Sequence, residues 1–251
     1  MYYLKRILGC IKKADNDYHL FENGDKIAIG VSGGKDSMLL LNALTHYKKM
    51  LEKEKSIELV AIHVDLGFPN TNLDALKEYA NSVNVPLVIV PSDIASMLNE
   101  HKENNGRLPC SICSRMRKAV INKAAIDNGC NKVAFAHHGD DAIETLVMNA
   151  IYGGRIATFA PKMHLDKTNL TFIRPLIYAR EKEIIRVTNK MGIPVIKSTC
   201  PNDSQTMRQE IKNMLKKLYR KYPSARDNFL LMLHNKEQLD LWEPINEKEI
   251  D

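Results

Sequence analysis

A glycine-rich hexapeptide carries the clearest chemical signal in the chain. It reads Ser32-Gly33-Gly34-Lys35-Asp36-Ser37 and lies between an apolar run and a helical pattern. Two glycines permit a tight turn and let a ligand approach the backbone closely, while the free amides of a helix start attract anions. Lys35 adds a positive charge, and the serine hydroxyls add donors. The spacing is not that of a Walker A loop, yet the stretch predicts a phosphate-binding loop.

Imidazole and carboxylate groups follow two further apolar runs, 58–64 and 132–136. They are His63, Asp65, His137, His138, Asp140 and Asp141. If both runs are strands of an open parallel sheet, these groups lie at the carboxyl ends of the strands, where such sheets bind ligands. A single aspartate there also fits a loop or a helix cap. Two histidines and two acids together after 132–136 favour a functional site.

Three cysteines stand at positions from which they can act together. Cys110 and Cys113 form a C-x-x-C pair directly before a predicted helix, 114–128, and Cys200 follows a predicted short strand, 194–197. A helix start and neighbouring cations favour thiolates, the form that binds metals or attacks as a nucleophile. The neighbouring cations are Arg115, Arg117 and Lys118. A C-x-x-C pair alone does not distinguish metal ligation from redox chemistry.

The segment from 204 onward is predicted to be helical and strongly basic. Between 204 and 226 it has seven cations against one acid, Glu210. The cations are Arg208, Lys212, Lys216, Lys217, Arg220, Lys221 and Arg226. A solvated basic face is a common explanation, but this imbalance favours contacts with a phosphate backbone. The net charge of +6 points in the same direction.

The elements that position these groups alternate between strands and helices. Apolar runs predict strands at 27–31, 58–64, 86–90, 132–136 and 172–176, with helical patterns between them. This alternation indicates an α/β fold: a doubly wound, mainly parallel five-stranded sheet with helical additions at both ends. We expect an amphipathic helix within 1–24, a nucleotide-binding domain with the cysteine site at 25–203, and basic helices with an acidic tail at 204–251.

Bulk composition excludes several classes of protein. The hydrophobic content of 44% is ordinary for a globular chain, and no apolar run reaches the roughly 18 residues of a membrane span. The first residues lack the apolar core of a signal peptide. Five cysteines, an odd number, do not indicate a disulfide scaffold. We therefore expect a cytoplasmic protein with no membrane association.

The motifs together resemble a known family. The hexapeptide 32–37 resembles the PP-loop of ATP pyrophosphatases, and the full order of motifs resembles the tRNA 2-thiocytidine synthetase (TtcA) family. The motifs are SGGKDS (32–37), HVDLGF (63–68), PCSICSRMRK (109–118), HHGDDAIETL (137–146), YGG (152–154), APK (160–162), IRPL-x-x-AREKEI (173–184) and Cys200. They span about three-quarters of the chain.

The resemblance implies an ATP-dependent tRNA sulfurtransferase. Such an enzyme adenylates a cytidine carbonyl in the anticodon loop, releases pyrophosphate, and replaces the oxygen with sulfur. It implies that residues 32–37 hold the ATP phosphates, that Cys110, Cys113 and Cys200 hold a [4Fe-4S] cluster, and that a cysteine desulfurase or sulfide donates sulfur. It also implies a possible homodimer.

Less specific roles follow from the same resemblance. Asp36, Asp65 and Asp141 are candidates for Mg²⁺ binding or for polarising the adenylation site. His63, His137 and His138 are candidates for positioning ATP or substrate. Contacts with the nucleic acid are expected from basic side chains of two segments. These are Arg115, Arg117, Lys118, Arg208, Lys212 and Lys216.

The sequence departs from the family pattern near its third cysteine. Family members more often carry a second CxxC-like pair there, whereas this chain has Cys200 alone, and Ala136 replaces a usual glycine. Four alternatives stay open. A zinc site could use Cys130 as a fourth ligand, a persulfide on Cys113 or Cys200 could transfer sulfur without a cluster, or the chain could bind nucleotide or tRNA without turnover. A related PP-loop enzyme could also act on a substrate other than tRNA.

Overall fold

The computed structural model describes residues 2–69, 72–102, 106–197, 199–202, 206–235 and 237. The helices are α1 (Lys5–Tyr18), α2 (Lys35–Leu51), α3 (Asp74–Ser82), α4 (Ile94–Glu100), α5 (Cys110–Asp127), α6 (Gly139–Gly153), α7 (Glu181–Met191), α8 (Met207–Lys221) and α9 (Ala225–Met232). The strands are β1 (Asp25–Gly30), β2 (Ile57–Asp65), β3 (Leu87–Pro91), β4 (Lys132–Ala134), β5 (Lys162–Leu165) and β6 (Leu170–Ile173).

The strands form one sheet with the order β3-β2-β1-β4-β6-β5 across the described residues. All neighbouring pairs are parallel except β5 and β6, which form an antiparallel hairpin at one edge. The predicted doubly wound, mainly parallel sheet is confirmed. The chain moves outward from β1 to β3 and then crosses to β4 on the other side, so the direction of winding changes between β1 and β4.

Two strand predictions were wrong in detail. The sheet has six strands rather than five, because Lys162–Leu165 pairs with β6 although it lacks the β-branched residues that mark the other strands. The residues 194–197, predicted as a strand, are not in the sheet. The N–H of Ile196 donates instead to the carbonyl oxygen of Gly33, at 2.9 Å, which places this segment against the phosphate loop.

The pleat of the strands divides the core between two faces. On β1, Ile27 and Ile29 face the core formed with α1, α2 and α7, and Ala28 faces the core formed with α4 and α5. Strand β2 alternates in the same way, with Ala61 on the first face and Ile62 on the second. Successive side chains of a strand point to opposite faces, so both faces of the sheet are covered by helices, as parallel sheets require.

The C-x-x-C pair lies inside a helix rather than before it. Helix α5 begins at Cys110, four residues earlier than predicted, because the carbonyl of Pro109 accepts the N–H of Cys113 at 3.1 Å. Pro109 fixes the backbone angle that leads into the first turn. Cys110 and Cys113 therefore occupy one helical turn, where residues three apart lie on the same face.

The basic C-terminal segment is packed on the domain. Ile211 and Leu215 of α8 pack against Ile143 of α6 and form a small third core. The predicted acidic tail, from Lys236, lies outside the described residues apart from Glu237. Within the described ranges, no helix combines the length and apolar composition needed to cross a bilayer.

Candidate active site

One cavity of about 650 Å³ lies at the carboxyl ends of β1, β2 and β4. This is the edge of the sheet where the winding changes direction, the position at which open α/β sheets bind ligands. The polar side chains in its wall come from all three groups of motifs. They are Ser32, Asp36, Ser37, His63, Asp65, Cys110, Cys113, Ser114, Arg117, Lys118, His137, Asp141, Lys197, Thr199, Cys200, Asn202 and Arg208.

The phosphate loop is held in a tight turn between β1 and α2. Gly33 has a φ of +86°, a conformation that side chains other than glycine rarely adopt. A Cβ at Gly33 would also lie 2.9 Å from the Cβ of Ile196. The hydroxyl of Ser37 donates to the carbonyl of Gly34 at 2.9 Å, and no described side chain caps the first turn of α2. The first amides of α2 are therefore available to an anion.

Lys35 is engaged by acids on both sides. Its Nζ lies 3.0 Å from Asp36 Oδ2 and 3.0 Å from Glu181 Oε1. Burial lowers the pKa of Lys35, but these carboxylates outweigh burial and raise it. Glu181 was not among the predicted site residues. Glu181 is the first residue of α7, the helix that follows β6, and this position in the sequence was the available signal for a role in the site.

Asp36 and Asp141 lie on either side of a buried histidine. His138 Nε2 is 3.7 Å from Asp36 Oδ1 and 3.4 Å from Asp141 Oδ2. His138 and Asp141 also form a capping box at the start of α6, with the His138 N–H donating to Asp141 Oδ2 at 2.9 Å. Asp36 Oδ1 is buried and has no hydrogen-bond partner among the described residues. Asp141 thus caps the start of α6 and also lines the cavity.

His63 and Asp65 bring the end of β2 into the same cavity. His63 Nδ1 lies 2.8 Å from the carbonyl oxygen of Val31. Burial lowers the pKa of His63, although this hydrogen bond opposes the effect. Asp65 Oδ1 accepts the N–H of Gly67 at 3.0 Å. The two side chains are therefore fixed by backbone groups beside the phosphate loop.

His137 lies in the cavity wall between two aromatic rings. Its ring centroid is 4.9 Å from that of Phe159 and 5.9 Å from that of Phe135. Burial, followed by the positive charges of Arg174, Arg208 and Lys118, lowers the pKa of His137 to about 3. Its Nδ1 is buried and finds no partner within the part of the chain that the structure describes. The ring is therefore neutral at physiological pH.

Cys110, Cys113 and Cys200 all line the cavity. Arg117 Nη2 lies 3.7 Å from Cys113 Sγ, and burial raises the pKa of Cys200. Asn202, which was not predicted, joins the two cysteine segments. Its Nδ2 lies 2.7 Å from the carbonyl oxygen of Leu108 and 3.5 Å from Cys110 Sγ. Asn202 therefore fixes the Cys200 segment to the start of α5.

The donor set, three thiols in one cavity wall, is of the type that binds an iron–sulfur cluster. Thiolates are the ligands of both structural zinc and iron–sulfur clusters. In the described ranges, no three His, Cys, Asp or Glu side chains are grouped closely enough to hold one metal ion. A cluster does not need such convergence, because each cysteine binds a different iron. Cys130, the fourth ligand of the zinc alternative, is buried in the core at the amino end of β4 and is not in the cavity wall.

The predicted nucleic-acid contacts fall into two groups. Arg117, Lys118 and Arg208 line the cavity. Arg115 is exposed on α5, Lys216 is exposed on α8, and neither is in the cavity wall. Lys212 lies 2.5 Å from Glu181 Oε1, and Arg208 lies 3.4 Å from Glu144 Oε2. Two of the α8 cations are therefore engaged by acids of the domain.

Comparisons with known proteins identify the family. A PP-loop domain model matches residues 6–218. The chain is 35% identical to the tRNA-cytidine(32) 2-sulfurtransferase of Pelobacter propionicus, over 92% of this chain and 86% of the relative. It is 34% identical to the protein of the same name from Coxiella burnetii, over 92% of this chain and 90% of the relative. The chain belongs to the TtcA family.

Solved structures share the fold of this TtcA family member. The U34-tRNA thiolase NcsA from Methanococcus maripaludis, solved with its [4Fe-4S] cluster, superposes with a TM-score of 0.74 at 22% identity, over 92% of this chain and 78% of NcsA. The NH₃-dependent NAD synthetase of Campylobacter jejuni superposes with a TM-score of 0.51 at 16% identity, over 98% of this chain and 100% of the synthetase. At these identities the likeness extends to the fold alone.

Proposed function

We propose that the protein is an ATP-dependent tRNA sulfurtransferase that converts a cytidine in the anticodon loop to 2-thiocytidine. The single observation that carries the proposal is that the phosphate loop and three cysteines line one cavity. Oxygen activation and sulfur delivery need both groups within reach of one substrate atom. Full-length relatives named for this reaction support the proposal.

The phosphate loop is suited to the activation step. The uncapped amides of α2 and the ammonium of Lys35 would bind the triphosphate. Asp36, with one oxygen buried and unpartnered, and Asp141 flank the same histidine and would hold Mg²⁺ together with phosphate oxygens. Asp65 is a further candidate ligand in the cavity wall. Arg208 would offset negative charge as pyrophosphate departs.

The cysteines are suited to the sulfur step. Cys110, Cys113 and Cys200 would hold a [4Fe-4S] cluster, which when bound supplies an iron open to an inorganic sulfur ligand. Asn202 keeps the third thiol beside the first two. Arg117 lies next to Cys113 and would stabilise its thiolate. The aromatic walls beside His137 would keep water away from the activated base.

The proposed reaction balances without an oxidant or a reductant. The O2 atom of cytidine attacks the α-phosphorus of ATP, and pyrophosphate leaves. Hydrosulfide then attacks C2, the original oxygen leaves with AMP, and the proton of the hydrosulfide is released to water. The carbonyl becomes a thiocarbonyl, and sulfur stays at the oxidation level of sulfide.

The proposal also assigns partners. The substrate is tRNA, with Arg115, Lys118 and Lys216 offering exposed cations to its backbone, and a cysteine desulfurase or free sulfide supplies sulfur. A tRNA substrate implies the cytoplasm. We also propose that the chain is divided into an N-terminal helical region (1–24), a nucleotide-binding domain (25–203) and a basic C-terminal region (204–251). We further propose that two chains form a homodimer.

The test uses the full chain purified anaerobically. It is incubated with ATP, Mg²⁺, sulfide and an in vitro transcribed tRNA carrying cytidine in its anticodon loop. We expect 2-thiocytidine in digested tRNA, one pyrophosphate per thiolated base, and close to four irons and four sulfides per chain. Cys110→Ala and Cys200→Ala should lose the 2-thiocytidine and the bound iron and sulfide. Cys10→Ala, which alters a thiol on α1 outside the cavity, should retain them.

Each alternative has its own result. About one zinc per chain without sulfide would contradict the cluster. Thiolation without iron, with a persulfide mass on Cys113 or Cys200, would indicate direct sulfur transfer. Pyrophosphate release at the same rate with and without tRNA would indicate another substrate. Binding of ATP and tRNA without pyrophosphate release would indicate a non-catalytic module.

A further inference from the structure

One carboxylate oxygen joins the phosphate loop to the C-terminal helix. Glu181 Oε1 lies 3.0 Å from Lys35 Nζ of the loop and 2.5 Å from Lys212 Nζ of α8. The side chains are largely buried, with exposed fractions of 15% for Glu181, 31% for Lys35 and 23% for Lys212. Two ammonium groups therefore share a single acceptor atom.

The acceptor is ionised and fixed in place. Burial alone would raise the pKa of Glu181, but the hydrogen bonds from Lys212 and Lys35 outweigh it and lower the pKa to about 2. The backbone N–H of Glu181 donates to Asp140 Oδ2 at 2.6 Å, which anchors the first turn of α7. Asp140 is in turn bound by Arg226, with Nε 2.5 Å from Oδ1. Glu181 thus lies between two cations, and its backbone is held through Asp140 by Arg226.

Phosphate and Glu181 compete for the same ammonium. A lysine that turns toward ATP weakens its contact with the carboxylate as it gains phosphate oxygens, and the more strongly Glu181 holds it, the more this movement costs. Once Lys35 turns to the phosphates, Glu181 Oε1 is left to Lys212 alone. A hydrogen-bond acceptor that loses one of two donors binds the remaining donor more strongly.

We propose that Glu181 couples nucleotide occupancy of the phosphate loop to the docking of α8, acting as the counterion of Lys35 in the empty site and of Lys212 in the filled one. The coupling rests on the proposed function only in taking ATP as the ligand of the loop. Glu181 is a positioning residue, because it acts through the two lysines. The consequence is that nucleotide binding in the phosphate loop strengthens the docking of α8, the helix that carries the exposed cation Lys216.

The first test is the affinity for ATP with Mg²⁺, measured by calorimetry on the full chain purified anaerobically. Glu181→Gln removes the competing charge, so we expect roughly a three- to ten-fold lower Kd. Lys212→Met leaves Glu181 to Lys35 alone, so we expect a Kd higher by a similar factor. Lys217→Met makes the same change of charge at an exposed position of α8 and should change the Kd by less than about two-fold.

The second test is hydrogen exchange in α8 with and without ATP. In the unchanged protein, ATP should slow exchange across 207–221, and in Glu181→Gln this slowing should be markedly smaller, the remainder coming from Arg208 in the cavity wall. A purely structural role for Glu181 would raise exchange in α8 with no change in its response to ATP. That outcome, or a Kd raised by Glu181→Gln, would overturn the coupling.

The outcomes separate the coupling from the proposed function. An unchanged protein that fails to bind ATP would overturn both. ATP binding with equal affinity in Glu181→Gln and Lys212→Met would overturn the coupling and leave the sulfurtransferase proposal intact. ATP binding with opposite shifts in the two variants, but no thiolation of tRNA, would support the coupling and overturn the proposed reaction.

Discussion

His137 shows how burial converts a titratable residue into a fixed neutral one. Its ring lies against Phe159 and Phe135, and the positive charges of Arg174, Arg208 and Lys118 surround it. Both effects disfavour the imidazolium and lower the pKa of His137 to about 3. A neutral ring has one acceptor nitrogen and one donor nitrogen. The pair His137-His138 in the sequence gives no sign that His137 lies against two aromatic rings.

The acid stability of the protein should depend on His137. The unfolded chain takes up a proton at this residue near pH 6.5, whereas the folded chain does not until about pH 3. The free energy of unfolding therefore falls as the pH drops below about 6.5. His137→Leu removes this loss, so its stability relative to the unchanged protein should improve from pH 8 to pH 5, by at most about 1.4 kcal/mol per pH unit below 6.5.

Urea unfolding at the two pH values measures this effect. His164→Leu, at an exposed position of the edge strand β5, makes the same replacement away from the cavity and serves as the control. An identical dependence on pH in His137→Leu and the unchanged protein would show that the folded chain takes up this proton at the same pH as the unfolded chain, against the lowered pKa of His137.

The described residues 193–197 and 199–202, which we call the α7–α8 connection, act as a structural element without regular secondary structure. Near its start, the N–H of Ile196 donates to the carbonyl of Gly33 in the phosphate loop. At its other end, the Asn202 side chain accepts the N–H of Leu108 at 3.3 Å and donates to the carbonyl of Leu108. The connection spans the cavity between the two halves of the proposed chemistry.

We predict that Asn202→Ala loosens the third cysteine. Loss of the two Leu108 hydrogen bonds should free the connection, at a cost of about 1–3 kcal/mol where partners are left buried. Iron and sulfide per chain should fall after reconstitution, and the visible absorbance of the cluster should bleach faster in air. Asn149→Ala, which removes a side-chain hydrogen bond to the Ala157 carbonyl, is the control. Equal iron content in both variants, with equal rates of bleaching, would contradict the role of Asn202.

The sequence predicted the elements that depend on local pattern. Buried strands correspond to apolar runs in the sequence, so they could be predicted. The motifs that follow β1, β2 and β4 could be predicted to lie at one edge of the sheet, because parallel strands place their carboxyl ends there. Edge strand β5 was missed because Lys162–Leu165 is partly exposed and owes its pairing to β6. The segment 194–197 was predicted as a strand because it is apolar, but its apolar side chain Ile196 packs on Gly33 instead.

Long-range ion pairs were beyond sequence reasoning. The cations of α8 form a basic pattern, and the pattern does not reveal that Arg208 and Lys212 meet Glu144 and Glu181 from distant parts of the chain. The sequence likewise gives no sign that Asn202, a loop residue, forms hydrogen bonds with Leu108. Such contacts depend on the docking of α8 and of the α7–α8 connection, and tertiary packing alone determines them.

At the scale of the whole molecule, the amino end of the sheet is closed by a buried ion pair. Lys132 Nζ lies 2.8 Å from Asp25 Oδ2, and their side chains are 4% and 2% exposed. Lys132 also donates to the carbonyl of Leu20 at 3.0 Å. Asp25 accepts from Asn131 Nδ2 at 2.8 Å and from the N–H of Glu22 at 2.6 Å. The pair thus joins β1, β4 and the segment between α1 and β1.

Removal of one partner should destabilise the fold strongly. Lys132→Met leaves the Asp25 carboxylate buried without its counterion, so we expect a loss of about 3–5 kcal/mol in the free energy of unfolding. Lys162→Met breaks an ion pair with Glu22 in which Lys162 is 32% exposed and Glu22 is 61% exposed, and we expect a loss of about 1 kcal/mol or less. Urea unfolding measures both. A loss below about 1 kcal/mol in Lys132→Met would mean that water reaches Asp25.

The α7–α8 connection also bears on how such a site can change over evolutionary time. Because one stretch of backbone forms a wall of the nucleotide loop and carries the third thiol, the two halves of the site are inherited together. A change that rebuilt the backbone of this stretch would also remove the hydrogen bond from Ile196 to Gly33 in the nucleotide loop. A recombination event that exchanged only the cysteine-bearing segment would have to supply a matching contact for Gly33. The backbone that carries the third thiol is therefore constrained by the shape of the nucleotide loop as well as by the cysteine site.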